Sequence, residues 1–165
     1  MQIYHEIIEF NSNHDITIAD ITDKAEEIFE SKDVSQGLMV VYTQHTTCSV
    51  QIQELSDGTT EDGTELIMQD LIEVFDRIIP KITRLGQYHH PNQNHLDIAF
   101  KERGEKNEWC MNTDGHLRSI IMGRSVSIPI IDKQLVLGEF GRIFFADWDS
   151  TRERKRYIYV TIISE

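Results

Sequence analysis

Apolar residues along this chain follow two rhythms, one of period two and one of about 3.6, and the switches between them mark the elements. Residues 2–10 mix apolar and polar positions as an edge strand does, and Asn11-Ser12-Asn13-His14-Asp15 is a turn cluster. Ile21, Ala25, Ile28 and Phe29 then fall on one helical stripe, with Thr22 expected as N-cap and Asp23 in the first turn. Residues 38–43 and 49–53 read as strands, with His45-Thr46-Thr47 at their junction. A polar loop follows over 55–63. The helix of 65–79 carries Ile67, Leu71, Val74, Phe75 and Ile78 on one face and stops at Pro80.

Residues 86–112 are the least regular part. They open on the polar run His89-His90-Pro91-Asn92-Gln93-Asn94-His95 and hold a possible short helix over 96–102. A helix over 116–122 has Gly123 as its expected C-cap. Strands are predicted over 125–130, 143–146 and 157–163. Asp132-Lys133 is read as a turn, 136–138 as an extended run, and 147–154 as a hairpin connection. The pattern predicts an α+β fold: a single compact domain over residues 1–165, mostly antiparallel β-sheet with two or three helices packed on it.

The bulk numbers agree. A length of 165 residues suits one core, and 39% apolar with 27% charged residues is ordinary for a globular chain. No apolar stretch approaches the roughly 18 residues of a membrane span, and the N-terminus does not read as a secretory signal. A cytoplasmic protein without membrane partners is therefore expected. The net charge of −12 disfavours nucleic acid as a partner. Against that background, Arg152-Glu153-Arg154-Lys155-Arg156 is a local basic run suited to a small phosphate or carboxylate. Cys48 and Cys110 make no disulfide framework or C-x-x-C pair; Cys48, beside His45-Thr46-Thr47, is a reactive thiol or, more simply, a small buried side chain. Glycine-rich phosphate loops and the G-x-S-x-G elbow are absent, which removes the commonest NTPase, dinucleotide and α/β-hydrolase readings.

Histidine is the residue most able to carry chemistry. His5, His14, His89 and His95 are most simply solvent-facing, whereas His45, His90 and His116 each stand near the end of a predicted element. Three imidazoles from separate elements could share a divalent metal such as zinc and leave a position open for water. They could equally be three unrelated, locally bonded rings. Glu54, at the end of the second strand, would orient His45 or act as a base if a hairpin brought them to one rim; otherwise it is a solvated strand end. Asp147 faces a pocket or starts a turn. Arg152 and Arg154 share one face by alternation, which suits either a phosphate or an edge that blocks sheet association.

Taken in order, several segments resemble the YjbQ-like family, the secondary thiamine-phosphate synthase enzyme family. They are His45-Thr46-Thr47-Cys48-Ser49-Val50-Gln51-Ile52-Gln53-Glu54, Tyr88-His89-His90, Asn112-Thr113-Asp114-Gly115-His116-Leu117, Gly123-Arg124-Ser125, Leu135-Val136-Leu137-Gly138 and Asp147-Trp148-Asp149-Ser150-Thr151-Arg152-Glu153-Arg154. The chain departs from the family pattern at Gln53, at Phe140-Gly141, at Ser150-Thr151 and in a longer connection over 91–111.

The resemblance implies a compact α+β domain that forms homotrimers, with a pocket at a subunit boundary. It also implies transfer chemistry that joins a pyrimidine diphosphate to a thiazole phosphate with loss of pyrophosphate. On that reading His45, Glu54 and His116 are catalytic, while Thr46, Thr47, Asn112, Asp147, Arg152 and Arg154 hold a small phosphate-bearing ligand. Magnesium is the metal usual for such chemistry. Two alternatives stand beside it: metal-dependent hydrolysis at His45, His90 and His116, and a non-catalytic trimeric module that binds a small anion.

Overall fold

The computed structural model describes residues 1–165 and contains two antiparallel sheets packed face to face. The larger sheet has the order β1-β8-β3-β5-β6, built from β1 (Gln2–Ser12), β3 (Gln36–Thr43), β5 (Ser125–Ile131), β6 (Gln134–Leu135) and β8 (Arg154–Ser164). The smaller has the order β2-β7-β4, from β2 (Thr17–Asp20), β4 (Cys48–Glu54) and β7 (Gly141–Asp147). The α+β class expected from the pattern is what the structure shows.

Alternation does the sorting. On β8, Arg156, Ile158, Val160, Ile162 and Ser164 are buried while the residues between them are half-exposed or exposed. The inward face of β8 meets Met39 and Val41 of β3, Ile128 and Ile130 of β5, and Val50, Ile143 and Phe145 of the smaller sheet in one apolar core. Helix α1 (Thr22–Glu30) adds Ala25 and Phe29 to it. β7 is buried on both faces. Its other face places Ala146 with Trp148, Phe75 and Ile79 under α2 (Leu66–Ile78) and α4 (Thr113–Met122).

Several local expectations change: β2 was not expected, β1 runs into the turn cluster, and α4 begins at Thr113 rather than at residue 116. The first helix is not capped by Thr22 but begins there: the Asp20 carboxylate accepts from the Thr22 N–H at 2.8 Å and from its hydroxyl at 2.5 Å. The irregular stretch holds a longer helix than expected, α3 (Gln93–Arg103), so the helices number four. The Asn92 side chain caps α3 by accepting from the His95 N–H, and Gly104 ends it in the left-handed region at φ 64°. Finally, residues 147–154 are not a hairpin connection. β7 and β8 lie in different sheets, so this segment crosses between them.

That crossing has a twin. Residues 44–47 carry the chain from β3 in the larger sheet to β4 in the smaller. β3 pairs with β8 and β4 pairs with β7, so both crossings lie at the same end of the molecule. His45-Thr46-Thr47 is one of them and residues 148–153 are the other. Two irregular segments between packed sheets cannot hydrogen-bond as a ladder, so their polar groups must find partners in side chains or in each other.

Candidate functional site

The base of this double corner is a buried ion pair. Asp147, the last residue of β7, is fully buried. Arg156 on β8 donates to it through both Nε (2.6 Å) and Nη2 (2.7 Å). The same Nη2 reaches the Thr47 hydroxyl at 3.2 Å, and the Thr47 carbonyl accepts from the Trp148 N–H at 3.0 Å. Asp147 Oδ1 also accepts from the Asp149 N–H. One fork therefore ties both crossings and both sheets together.

Asp149 organises the next layer. Its Oδ1 accepts from the Thr151 N–H and hydroxyl; its Oδ2 accepts from the Asn112 amide at 3.0 Å and is ion-paired with Arg154 Nη2 at 3.0 Å. Burial pushes this carboxyl up, but Thr151, Asn112 and Arg154 outweigh it and hold it below the ordinary range. Arg154 and Arg156 alternate along β8, so they share a face. Both line a cavity of about 590 Å³ over the corner, together with Thr46, Thr47, His45 and His116. Three arginines face two carboxylates there, Arg103, Arg154 and Arg156 against Glu105 and Asp149, on a chain of net charge −12. The Nε–H of Arg154 is buried and has no acceptor.

The two histidines of this cavity present opposite chemistry. His45 Nε2 accepts from the Tyr157 backbone N–H at 3.0 Å. An imidazolium could not accept that bond, so the ring is neutral with its proton on Nδ1. Burial first, then Arg156, holds its pKa below the ordinary value, against the opposing pull of Asp147. The position left open is a donor. His116 is bonded through Nδ1 to the Thr46 carbonyl at 3.2 Å; a carbonyl only accepts, so Nδ1 carries the proton and Nε2 is left as an acceptor. Burial lowers this pKa too, while the Thr46 bond acts against it.

One wall comes from the stretch over 91–111. α3 and the tight turn Asn107–Cys110 pack on each other around Leu96, Ala99 and Cys110, apart from the main core. They turn His95, Arg103, Glu105, Trp109 and Cys110 to the cavity. The His90 ring lies 4.6 Å from His95 and 6.1 Å from His116. Burial, then repulsion by His95 and His116, lowers the His90 pKa.

The structure thus brings together His45, Thr46, Thr47, His90, Asn112, His116 and Arg154, with Asp147 directly beneath through Arg156. Two expected residues stand elsewhere. Glu54 is exposed at the far end of β4, opposite Gly141, whereas Cys48 at the near end is opposite Asp147. Only a hairpin would bring Glu54 to the rim beside His45; the two strands belong to different sheets, and Glu54 is the solvated strand end of the alternative reading. Arg152 precedes β8. Its Nη2 meets Glu105 at 3.2 Å and its guanidinium lies 4.2 Å from the centre of the Trp109 ring, bracing the wall from outside.

The shared metal centre expected at His45, His90 and His116 does not fit this geometry. His45 Nε2 is already engaged, and no three His, Cys, Asp or Glu side chains stand as a ligand group. Cys48 is buried with its thiol against Asp147 Oδ1 at 3.5 Å, and burial drives its pKa far up, so it is no nucleophile. Arg156 and Asp149 carry no separate expectation, and His95, expected to face solvent, is half-buried in the cavity wall. The i, i+2 rule that joined Arg152 to Arg154 also reaches Arg156, and only the true start of β8 says which pair points inward.

Comparison with known proteins places this geometry in context. The family model described as UPF0047 protein YjbQ-like matches residues 6–165. A UPF0047 protein of Archaeoglobus fulgidus is 32% identical over 141 residues, covering 85% of this chain and 87% of that one. The UPF0047 protein YugU of Bacillus subtilis is 24% identical, covering 84% and 85%. Among solved structures, a YbjQ-like protein of unknown function from Sulfolobus solfataricus superposes with a TM-score of 0.75 at 23% identity, covering 99% of each chain. A hypothetical protein of Aeropyrum pernix gives 0.69 at 26% identity, over 97% of this chain and 99% of that one.

Two outcomes follow from the corner's electrostatics. Arg156→Met leaves Asp147 buried and unpaired, and is expected to cost roughly 3–5 kcal/mol in chemical denaturation. Adding Asp147→Asn should recover much of that loss; additive losses would show that the two groups do not act as a pair. The second outcome concerns pH. Because His45, His90 and His116 titrate below the unfolded value of about 6.5, the unfolded chain binds more protons as pH falls through that range. Their contribution is complete above it and is lost towards the depressed folded values. The thermal midpoint should therefore fall between about pH 7 and pH 5, with a shallower slope in His116→Gln. A midpoint independent of pH there, or an unchanged slope in the variant, would contradict this.

Proposed function

Since the chain belongs to the UPF0047 YjbQ-like family, we propose that its corner cavity binds a small phosphate-bearing molecule and stabilises a departing pyrophosphate, as thiamine-phosphate synthesis requires. The observation that carries this reading is the donor set: the unpartnered Nε–H of Arg154 and the Nδ1–H fixed on His45, in one polar cavity of about 590 Å³. A buried cationic donor without an acceptor is costly, and an oxyanion removes that cost. When the bond to pyrophosphate breaks, negative charge grows on the bridging oxygen. Donors fixed in place before the bond breaks stabilise such charge without having to reorganise. His116 offers Nε2 as an acceptor for an N–H of the pyrimidine; the thiazole nitrogen forms the new C–N bond as pyrophosphate leaves, and no proton is transferred. Asp149, itself bonded by the Asn112 amide, holds Arg154 in place.

Calorimetric titration with inorganic pyrophosphate tests the binding step. It should bind, and Arg154→Ala should weaken it by about tenfold or more, the value of one lost charge-assisted contact. Incubation with a pyrimidine diphosphate and a thiazole phosphate should release pyrophosphate, and His116→Gln should slow that release. Failure of pyrophosphate to bind sinks the whole reading. Binding without turnover sinks the transfer and leaves the anion-binding module.

A further inference from the structure

Helix α4 has a second polar face. His116 turns towards the corner cavity; Asp114 and Arg118, two positions either side of it, lie on the opposite side and line a separate cavity of about 400 Å³ under α2. Both are buried and neither is fully satisfied. Arg118 has no exposed surface and packs beside the rings of Phe75 and Trp148. Its Nη2 serves Asp76 Oδ1 at 2.7 Å and the Ile79 carbonyl at 2.9 Å. Its Nε and Nη1 are buried without any acceptor. Asp114, 4% exposed, has one long contact, from the Ile82 N–H at 3.5 Å.

A guanidinium does not give up its charge, so two idle nitrogens, Nε and Nη1, need acceptors from elsewhere. A simple anion is a poor candidate. Asp15, Asp62, Asp76 and Asp114 line the same cavity, against only Arg118 and Lys81. A simple cation is equally poor, because it would leave Arg118 unsatisfied. The complementary molecule carries both charges.

From this we infer that the cavity between α2 and α4 is a second binding site, for a small amino-acid-like zwitterion whose carboxylate meets Arg118 Nε and Nη1 and whose ammonium meets Asp114. The site is independent of pyrophosphate binding at the corner. It borders the same structure: Ser150, next to Asp149, lines this second cavity.

The test is a titration of isotope-labelled intact protein with γ-aminobutyrate, followed at the Arg118 Nε–H resonance, beside titrations with butyrate and with butylammonium. The zwitterion should move that resonance saturably and bind at least about tenfold more tightly than either half molecule, since only it makes both charged contacts. The near-isosteric Asp114→Asn should abolish its advantage over butyrate. The inference is overturned by a resonance that does not move, which would mean that water satisfies Arg118. It is equally overturned by butyrate binding as tightly as the zwitterion, or by unchanged preference in Asp114→Asn.

Discussion

Everything at the functional end of this molecule leans on the bidentate pair between Asp147 and Arg156. The two residues belong to strands in different sheets, and the chain crosses between those sheets twice at this point. Burying two charges is costly, and the cost is offset only where geometry is good and the remaining hydrogen-bonding capacity is filled. Here it is filled by the Thr47 hydroxyl, the Asp149 N–H and the Cys48 thiol. The pair also fixes where the neighbours of its members stand. Tyr157, next to Arg156, gives its N–H to His45; Asp149, two residues after Asp147, positions Arg154. The cavity's chemistry is thus set by immediate or next-but-one neighbours of the structural pair.

Much of this fold is legible in the sequence because its strands alternate cleanly and its longest helix carries a regular apolar stripe. β8 shows why: each inward position from Ile158 to Ile162 is apolar and buried. Sheet membership is harder to read. A strand that ends in polar residues and is followed shortly by another strand reads as a hairpin, yet β3–β4 and β7–β8 are both crossings. Nothing local distinguishes the two, because the difference lies in which distant strand each one pairs with. That single ambiguity moved Glu54 out of the site and Arg152 to its outer brace.

The site itself was half legible. His45, Thr46, Thr47, Asn112, His116 and Arg154 could be singled out because they are polar groups at the ends of regular elements, where a stiff scaffold can present them. Their roles could not. Whether His45 is a donor, a base or a ligand depends on the Tyr157 N–H, a backbone group more than a hundred positions away. Helix α4 was expected for His116 alone, yet it separates two cavities, with Gly115 against the Trp148 carbonyl where an added Cβ would come within 3.1 Å. That close approach keeps the helix tight on the crossing and lets one short element serve both faces.

The central claim is that His45 is held as a neutral Nδ1–H donor by the corner built on Asp147 and Arg156. Long-range nitrogen–proton NMR reads the tautomer directly. At neutral pH it should show a bare Nε2 and a protonated Nδ1 on His45, with protonation only below the ordinary histidine value of about 6.5. A proton on Nε2, or an imidazolium at neutral pH, would contradict the account.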